Sequence, residues 1–185
     1  MRKIAISEIV DFQTYSDRRD ETRPSALLAK KARRIQVGEH FTFLFENRET
    51  VRYQIQEMTR AEKIVGEAEI QHELDTYNEL LHDGGKLGCS LLIGIDDPAE
   101  RDEKLTAWLG LVSRIYATRP DGTKVRPGYD ERQVGDTRLS AVQYLSFAIG
   151  SEAPIALGID LPGAECETTL SEEQRGALQS DLDEP

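Results

Sequence analysis

The sequence predicts an α+β fold in which a largely antiparallel or mixed sheet packs against about five helices. The first observation is that residues 41–45 (FTFLF) place phenylalanine at every second position, which is the period of a β-strand. The second is that segments with strand and helix patterns do not alternate one for one, as they would in a doubly wound parallel fold. The third is that several breaks between strands contain Gly, Asp or Pro in hairpin-like turns.

Length and composition favour one globular domain over residues 1–185. Hydrophobic residues make up 38% of the chain and charged residues 31%, as in an ordinary folded protein. Residues 170–185 are rich in acidic side chains, and we expect an acidic C-terminal helix or a frayed tail there.

The formal net charge of -11 argues against binding to nucleic acid or to an anionic membrane, since both repel acidic surfaces. Cys89 and Cys166 are too few and too far apart for a disulfide framework or a zinc site. The start of the chain has no apolar signal-peptide region, and its longest apolar run is too short to cross a bilayer. The expectation is a soluble cytoplasmic protein.

The N-terminal third is interpreted as two helices and a hairpin. Ser7 would cap a short first helix that ends in the charged run 17–21, and Pro24 would occupy the first turn of a second helix. The basic cluster at residues 30–34 complements the negative end of that helix dipole. A strand at 35–37, a turn at Gly38-Glu39 and the strand 41–45 then form the hairpin.

Two helices should follow the phenylalanine-rich strand. Asn47 would cap the first, whose inward stripe is Val51, Ile55, Met58 and Val65. The second covers residues 67–81 and ends at the glycines that follow.

The rest of the chain predicts further strands and two helices. Residues 87–95 read as a central strand, Asp97 caps the next helix, and residues 115–118, 139–149 and 154–159 form strands. Residues 124–136 are interpreted as an exposed loop. Ser171 and Gln174 would start the final helix.

Polar residues on the helix after the phenylalanine-rich strand form the candidate ligand-binding site. A row with a spacing of four lies along one helix face, and its first member stands at a helix N-terminus that favours anions. A small anionic ligand or an acidic partner protein would suit this face. The alternative is a solvated face with short-range Glu–Arg pairs. The candidates are Asn47, Arg48, Arg52, Gln56, Glu57 and Arg60.

Two further hypotheses concern chemistry. A small-molecule enzyme could use Glu57 as base and Arg48 with Arg60 as anion clamps, in a pocket at the strand-to-helix corner between Phe45 and Arg48. A metal-binding protein could use Glu69 and His72, one of two Glu-x-x-His pairs, the other being Glu79 with His82. Both pairs lie in one short segment and could not converge on one metal pair without a break, so we assign no metal ligands. No nucleophile motif identifies catalytic residues, and the sequence identifies no cofactor.

Several strings resemble a known family. FENRET followed by QIQEM, then ELDTYNELL and SLLIGIDDPAERD, resembles the uncharacterised bacterial family catalogued as domain of unknown function 3501. The shared motifs extend from KKARRIQVG to Asp160, whereas the tail after Cys166 has no counterpart. The resemblance implies a single bacterial cytoplasmic domain and no established activity. Its members accompany rubrerythrin-like and iron–sulfur proteins, which implies a redox or peroxide-stress setting.

The leading hypothesis is therefore a non-enzymatic binding or accessory module. It depends on one concentrated polar helix face and on the lack of an assembled catalytic motif in the sequence.

Overall fold

The computed structural model describes residues 1–131 and 134–184. Within these ranges the chain forms five α-helices, nine β-strands and three short 3₁₀ turns. The helices are α1 (Phe12–Arg33), α2 (Arg48–Ala61), α3 (Glu67–Tyr77), α4 (Pro98–Ala107) and α5 (Glu172–Asp183). The strands are β1 (Arg34–Val37), β2 (Phe41–Phe45), β3 (Lys86–Ile93), β4 (Ile115–Thr118), β5 (Lys124–Val125), β6 (Gly128–Tyr129), β7 (Val142–Ala148), β8 (Ala156–Ile159) and β9 (Cys166–Thr169).

The strands form two sheets, with the orders β1-β2-β3-β7-β6 and β5-β4-β8-β9. Every strand pair is antiparallel. The predicted α+β class with a largely antiparallel sheet and about five helices is confirmed. No helix in the described parts of the chain has both the length and the apolar character that crossing a membrane requires.

The main core lies against the inner face of the larger sheet. Phe43 and Phe45 are fully buried there with Leu91 of β3 and Phe147 of β7. The phenylalanine-rich strand is therefore part of the core, because the period of two places these aromatic rings on one face.

The outer face of the larger sheet is partly covered by a helical layer. A second apolar cluster joins Val51 and Ile55 of α2 to Leu74 of α3 and to the N-terminal segment. The chain after α3 approaches β3 so closely that a Cβ atom on Gly88 would lie 1.9 Å from the carbonyl oxygen of Leu80. Only glycine allows this layer to sit so near the sheet.

The N-terminal third differs from the prediction of two helices. A single helix, α1, begins after the cap Asp11, whose carboxylate accepts bonds from Gln13 and Thr14. Pro24 lies inside this helix and does not break it. Both halves contact α2, through Tyr15 before the proline and Lys30 after it, and this packing outweighs the missing backbone hydrogen bond.

Several boundaries also differ. The β1–β2 loop has three residues, 38–40, because Val37 pairs with Phe41. Helix α2 ends at Ala61, and Val65 is 78% exposed. The segment predicted as a loop at 124–136 contains β5 and β6, and residues 132–133 of it lie outside the described ranges. Strand β9 was not predicted, since its alternation is too polar to indicate a strand.

The C-terminal helix is docked, not frayed. Ser171 caps it with Gln174, as predicted, and Leu178 is fully buried. The buried carboxylate of Asp181 accepts two hydrogen bonds of 2.7 Å from Arg33 at the end of α1. This ion pair explains part of the basic cluster that the sequence assigned to the helix dipole alone.

Candidate ligand groove on the outer sheet face

The predicted polar row of α2 contacts the N-terminal segment of the same chain. The buried Gln56 amide accepts a hydrogen bond from the Val10 nitrogen (3.0 Å) and donates one to the Val10 oxygen (2.7 Å). Arg48 donates to the Lys3 carbonyl (2.9 Å) and to the Glu8 carboxylate (2.6 Å). These contacts hold residues 3–10 against the helix.

Glu57 is held by the same helical layer. It accepts hydrogen bonds from the Tyr15 hydroxyl (2.7 Å) and from Arg19 (2.7 and 3.0 Å), and Arg60 lies 3.4 Å away. Burial raises the pKa of Glu57, but the hydrogen bonds from Arg19 and Tyr15 outweigh it and lower the pKa from 4.5 to about 2. A carboxylate with so low a pKa is a weak general base at neutral pH.

The two remaining candidates have different surroundings. Asn47 caps α2 in a reciprocal arrangement with Thr50, and its amide lies 3.4 Å from Asp181. Arg52 is exposed and, with Gln56, lines a small cavity of about 220 Å³ between α1 and α2. That cavity is not lined by Glu57. The structure thus brings five of the six predicted residues into contacts within the chain, and Arg52 is the exposed one. The five are Asn47, Arg48, Gln56, Glu57 and Arg60.

The Glu69–His72 pair lies on α3. Glu69 accepts a hydrogen bond from the Gly66 nitrogen (3.1 Å) at the start of that helix. In the described ranges, no three or more His, Cys, Asp or Glu side chains are placed to hold a metal ion together. Neither residue is thus shown in a metal site.

A different polar region forms a concave site on the outer face of the larger sheet. We call it the sheet groove. It has a volume of about 590 Å³, within the usual range for small-molecule sites. It lies between α1, the end of α3, and strands β2, β3 and β7. Its lining residues are Leu27, Lys30, Lys31, Arg34, Leu44, Glu46, Gln54, Tyr77, Ser90, Leu92, Val142 and Tyr144.

Glu46 is the buried acid of the sheet groove. It lies at the corner between β2 and α2 and is only 5% exposed. Its carboxylate oxygens are 2.5 Å from the Thr50 hydroxyl and 3.2 Å from the Ser90 hydroxyl. Burial raises its pKa, opposed by the two hydroxyls and by the charges of Lys30 and Arg33. A raised pKa means that this site makes ionisation of the carboxyl harder than in water, although the two hydroxyls and the nearby cations lessen the effect.

Lysine and arginine side chains line part of the sheet groove, and the charge of Lys30 acts on the Glu46 carboxyl. Lys30 donates to the Gln54 side chain (3.2 Å), and its ammonium nitrogen lies 4.9 Å from the centre of the Tyr53 ring. Lys31 and Arg34 are exposed. Because β1 follows α1 directly, the basic end of the helix is placed at the sheet edge.

The floor of the sheet groove is apolar with two tyrosines. Leu44, Leu92 and Val142 point to the outer face from three adjacent strands. Burial raises the pKa of Tyr144, and a hydrogen bond with Tyr77 raises it further, so this phenol stays neutral. Apolar floor, basic rim and buried carboxyl together can hold an amphipathic molecule with an anionic group.

Sequence reasoning missed Glu46, Ser90, Tyr77 and Tyr144. One signal was available for the first of them. The strand period of two places Leu44 and Glu46 on the same outward face, immediately before the Asn47 cap. An acid at that register, near a basic cluster, indicates a polar corner. The other three come from distant segments that only the fold unites.

Comparison with known proteins agrees with this architecture. A crystal structure of a protein of unknown function from Burkholderia pseudomallei K96243 matches with a TM-score of 0.89 and 29% identity, over 98% of this chain and 100% of that one. No curated protein matches the sequence.

The model of a protein family of unknown function, DUF3501, matches residues 3–182. The match includes the tail after Cys166, so the predicted departure there is wrong. The resemblance read from the FENRET and QIQEM strings is confirmed, and this chain belongs to the DUF3501 family.

Proposed function

We propose that the protein is a non-enzymatic binding module for a small amphipathic anion, such as a medium-chain carboxylate, held in the sheet groove. The observation that carries the proposal is the buried Glu46 carboxyl in a cavity that also has a basic rim. Buried polar groups of this kind are costly unless their hydrogen bonds are satisfied, and they often mark a site.

The binding mode follows from the three parts of the groove. The anionic group would lie near Lys30 and Lys31, where burial of part of the surface makes the attraction stronger than in water. The apolar body would cover Leu92 and Val142, at about 25 cal/mol for each Å² removed from water.

This proposal moves the expected site away from the polar row of α2. Arg48, Gln56 and Glu57 there are bound to the N-terminal segment, so an external ligand would have to compete with those contacts. In the sheet groove, by contrast, Lys31 and Arg34 line the cavity and are exposed. A docking role for an acidic partner protein at Arg52 and Arg60 stays a prediction, tested by reversing both to glutamate and comparing the co-purified partners.

An accessory role in a redox or peroxide-stress setting also stays a prediction. Burial raises the pKa of Cys89 and of Cys166, and a nearby carboxylate raises each further. Both thiols therefore stay protonated at neutral pH and are weak nucleophiles. The setting is tested by deleting the gene and measuring growth under peroxide, where unchanged growth would count against it.

The binding proposal is tested by calorimetry with octanoate and with octanol, its uncharged analogue. We expect octanoate to bind and octanol to bind at least tenfold more weakly. Lys30→Gln combined with Lys31→Gln should reduce octanoate affinity about tenfold, since two partly screened charge interactions are lost. Arg175→Gln, on the exposed surface of α5, is the matched control and should change nothing. No octanoate binding, or equal loss in the control, would overturn the proposal.

A second candidate is a small-molecule enzyme, favoured by the raised pKa of a carboxyl that lines a cavity. In this version Glu46, and not Glu57, would be the general acid. The test is to incubate host metabolites with the wild-type protein and with Glu46→Gln. A substrate–product pair that appears only with the wild type supports the enzyme, and identical metabolite profiles reject it.

A further inference from the structure

Outward side chains of the larger sheet form a row across four strands of the sheet groove. The strand register pairs Arg34 of β1 with Leu44 of β2. It pairs Leu44 with Ser90 of β3, and Ser90 with Tyr144 of β7. All four residues line the groove. The row therefore leads from a cation at the sheet edge, across an apolar residue, to hydroxyl groups on the two inner strands.

Glu46 lies at the hydroxyl end of this row. Its backbone nitrogen donates to the Gly88 oxygen (3.0 Å), and its carboxylate accepts a hydrogen bond from the Ser90 hydroxyl (3.2 Å). On the other side of Ser90, the next outward pair along the strands is Leu92 with Val142, which is apolar. The sheet groove thus has separate apolar and hydrogen-bonding parts, both within reach of its basic side.

The Glu46 carboxylate can accept more hydrogen bonds than the described residues donate to it. One oxygen accepts from the Thr50 hydroxyl (2.5 Å) and the other from Ser90 (3.2 Å), whereas each carboxylate oxygen has two lone pairs. Lys30 donates its hydrogen bond to Gln54 instead. An alkyl chain lying over this buried group would remove it from water without supplying a donor, which costs free energy. A hydroxyl group in the same place would supply one.

Resting on the proposed function, we propose that the ligand of the sheet groove is a hydroxylated medium-chain carboxylate. Its hydroxyl group donates a hydrogen bond to Glu46, and its carboxylate lies on the basic side of the groove. The observation behind it is a buried carboxyl with remaining acceptor capacity in the same cavity as Lys31 and Arg34.

The dimensions of the sheet set the distance between the two polar groups of the ligand. Arg34 and Ser90 are separated by two strand spacings, which is about 10 Å at about 4.8 Å each. In an extended 8-hydroxyoctanoate, the carboxyl carbon and the hydroxyl oxygen are also about 10 Å apart, at about 1.2 Å per bond. Hydroxy acids with the hydroxyl at the end of a chain of six to eight carbons are therefore suitable probes.

The test compares carboxylates by calorimetry in pairs where a terminal hydroxyl replaces a terminal methyl of similar size. The pairs are 8-hydroxyoctanoate with nonanoate and 6-hydroxyhexanoate with heptanoate. On a purely apolar floor the hydroxy acid would bind about fourfold more weakly, because burial of one methyl group is lost. We expect the opposite order in at least one pair, with the hydroxy acid binding about three- to tenfold more tightly.

Variants locate the hydrogen bond. Glu46→Met removes both acceptor oxygens and should restore the apolar order, in which the methyl-ended acid binds more tightly. Glu46→Gln keeps one oxygen as an acceptor and should reduce the preference for the hydroxy acid, so the test does not depend on the folding of the first variant. Glu173→Gln, an exposed residue of α5, removes a charge of the same sign elsewhere and should leave the affinity ratio unchanged.

The outcomes separate the two proposals. If octanoate itself does not bind, the proposed function fails, and this inference fails with it. If octanoate binds but the methyl-ended acid binds more tightly in both pairs, the groove binds anions and the inference of a hydroxylated ligand is wrong. It is also wrong if the preference for the hydroxy acid is the same in both Glu46 variants as in the wild type.

Discussion

The polar row of α2 and the sheet groove contain similar residues in opposite circumstances. In the row, Arg48, Gln56 and Glu57 are bonded to the N-terminal third of the chain at 2.6–3.0 Å. In the sheet groove, Lys31 and Arg34 line an open cavity beside the buried Glu46. The comparison shows that a concentration of charge in sequence does not locate a site. What distinguishes the two regions is that the fold supplies partners for Arg48, Gln56 and Glu57 in the row, whereas Lys31 and Arg34 in the groove are exposed.

The largest effect is expected for a charge that is fully paired. Asp181→Ala should lower the free energy of unfolding by about 3–5 kcal/mol, because it leaves the buried Arg33 guanidinium without its carboxylate. Urea denaturation measures the change. Glu184→Ala is the control, because Glu184 is an exposed acid at the same helix end. It should change the free energy of unfolding by less than about 0.5 kcal/mol. Equal effects in both variants would show that the ion pair is not what holds α5.

The next effect concerns Glu57 and pH. Its folded pKa of about 2 is below the ordinary 4.5, so its contribution is present above pH 4.5 and is lost as the pH falls from 4.5 to 2. Glu57→Gln should cost about 3 kcal/mol at pH 7, since the folded pKa is about 2.5 below the ordinary value, at about 1.36 kcal/mol per pKa unit, and should flatten this part of the stability curve. Denaturation of both proteins between pH 2 and 7 tests it, and parallel curves would contradict it.

Glu46 should show the opposite sign. Its raised folded pKa means that folding favours the protonated carboxyl, so stability falls as the pH rises through the folded pKa. Glu46→Gln removes this titration, so the variant should lose less stability than the wild type as the pH rises, apart from hydrogen-bond changes of about 1 kcal/mol. Urea denaturation at pH 5 and pH 9 measures both. A wild-type protein that gains stability relative to the variant between pH 5 and pH 9 would contradict the raised pKa of Glu46.

The smallest effect is expected for Arg52, and it contrasts with Arg48 in the same row. Arg52 is exposed, so Arg52→Ala should change the free energy of unfolding by less than about 0.5 kcal/mol. Arg48→Ala should cost about 1–3 kcal/mol, because it removes charged hydrogen bonds to Lys3 and Glu8. Thermal unfolding of the pair tests this contrast. A larger loss for Arg52 than for Arg48 would mean that the N-terminal segment is held in some other way.

Local patterns were read correctly where the physical cause is local. The predicted helix caps at Asn47, Asp97 and Ser171 are present in the structure. Each cap side chain accepts a hydrogen bond from the backbone nitrogen three residues later, so a short stretch of sequence is enough to predict it. The same applies to β4, whose predicted bounds of 115–118 are those observed. Pro24 was misread because its cost is opposed by packing between α1 and α2, which no local pattern contains.

The candidate site was predicted less well for a similar reason. The row from Arg48 to Arg60 was recognised as one helix face, but its partners at Val10, Tyr15 and Arg19 lie some forty residues away in sequence. A helical period identifies which residues share a face. It does not identify what that face contacts.

The sequence by itself determined the α+β class, the core role of Phe43 and Phe45, most helix starts and the family, because periodicity, capping and motif strings are properties of neighbouring residues. The tertiary structure decided which charges are paired and which remain open. It joined Lys30, Glu46, Ser90 and Tyr144 into one groove from four separate elements. That outcome depends on strand order and on the close approach at Gly88, which arise from long-range packing.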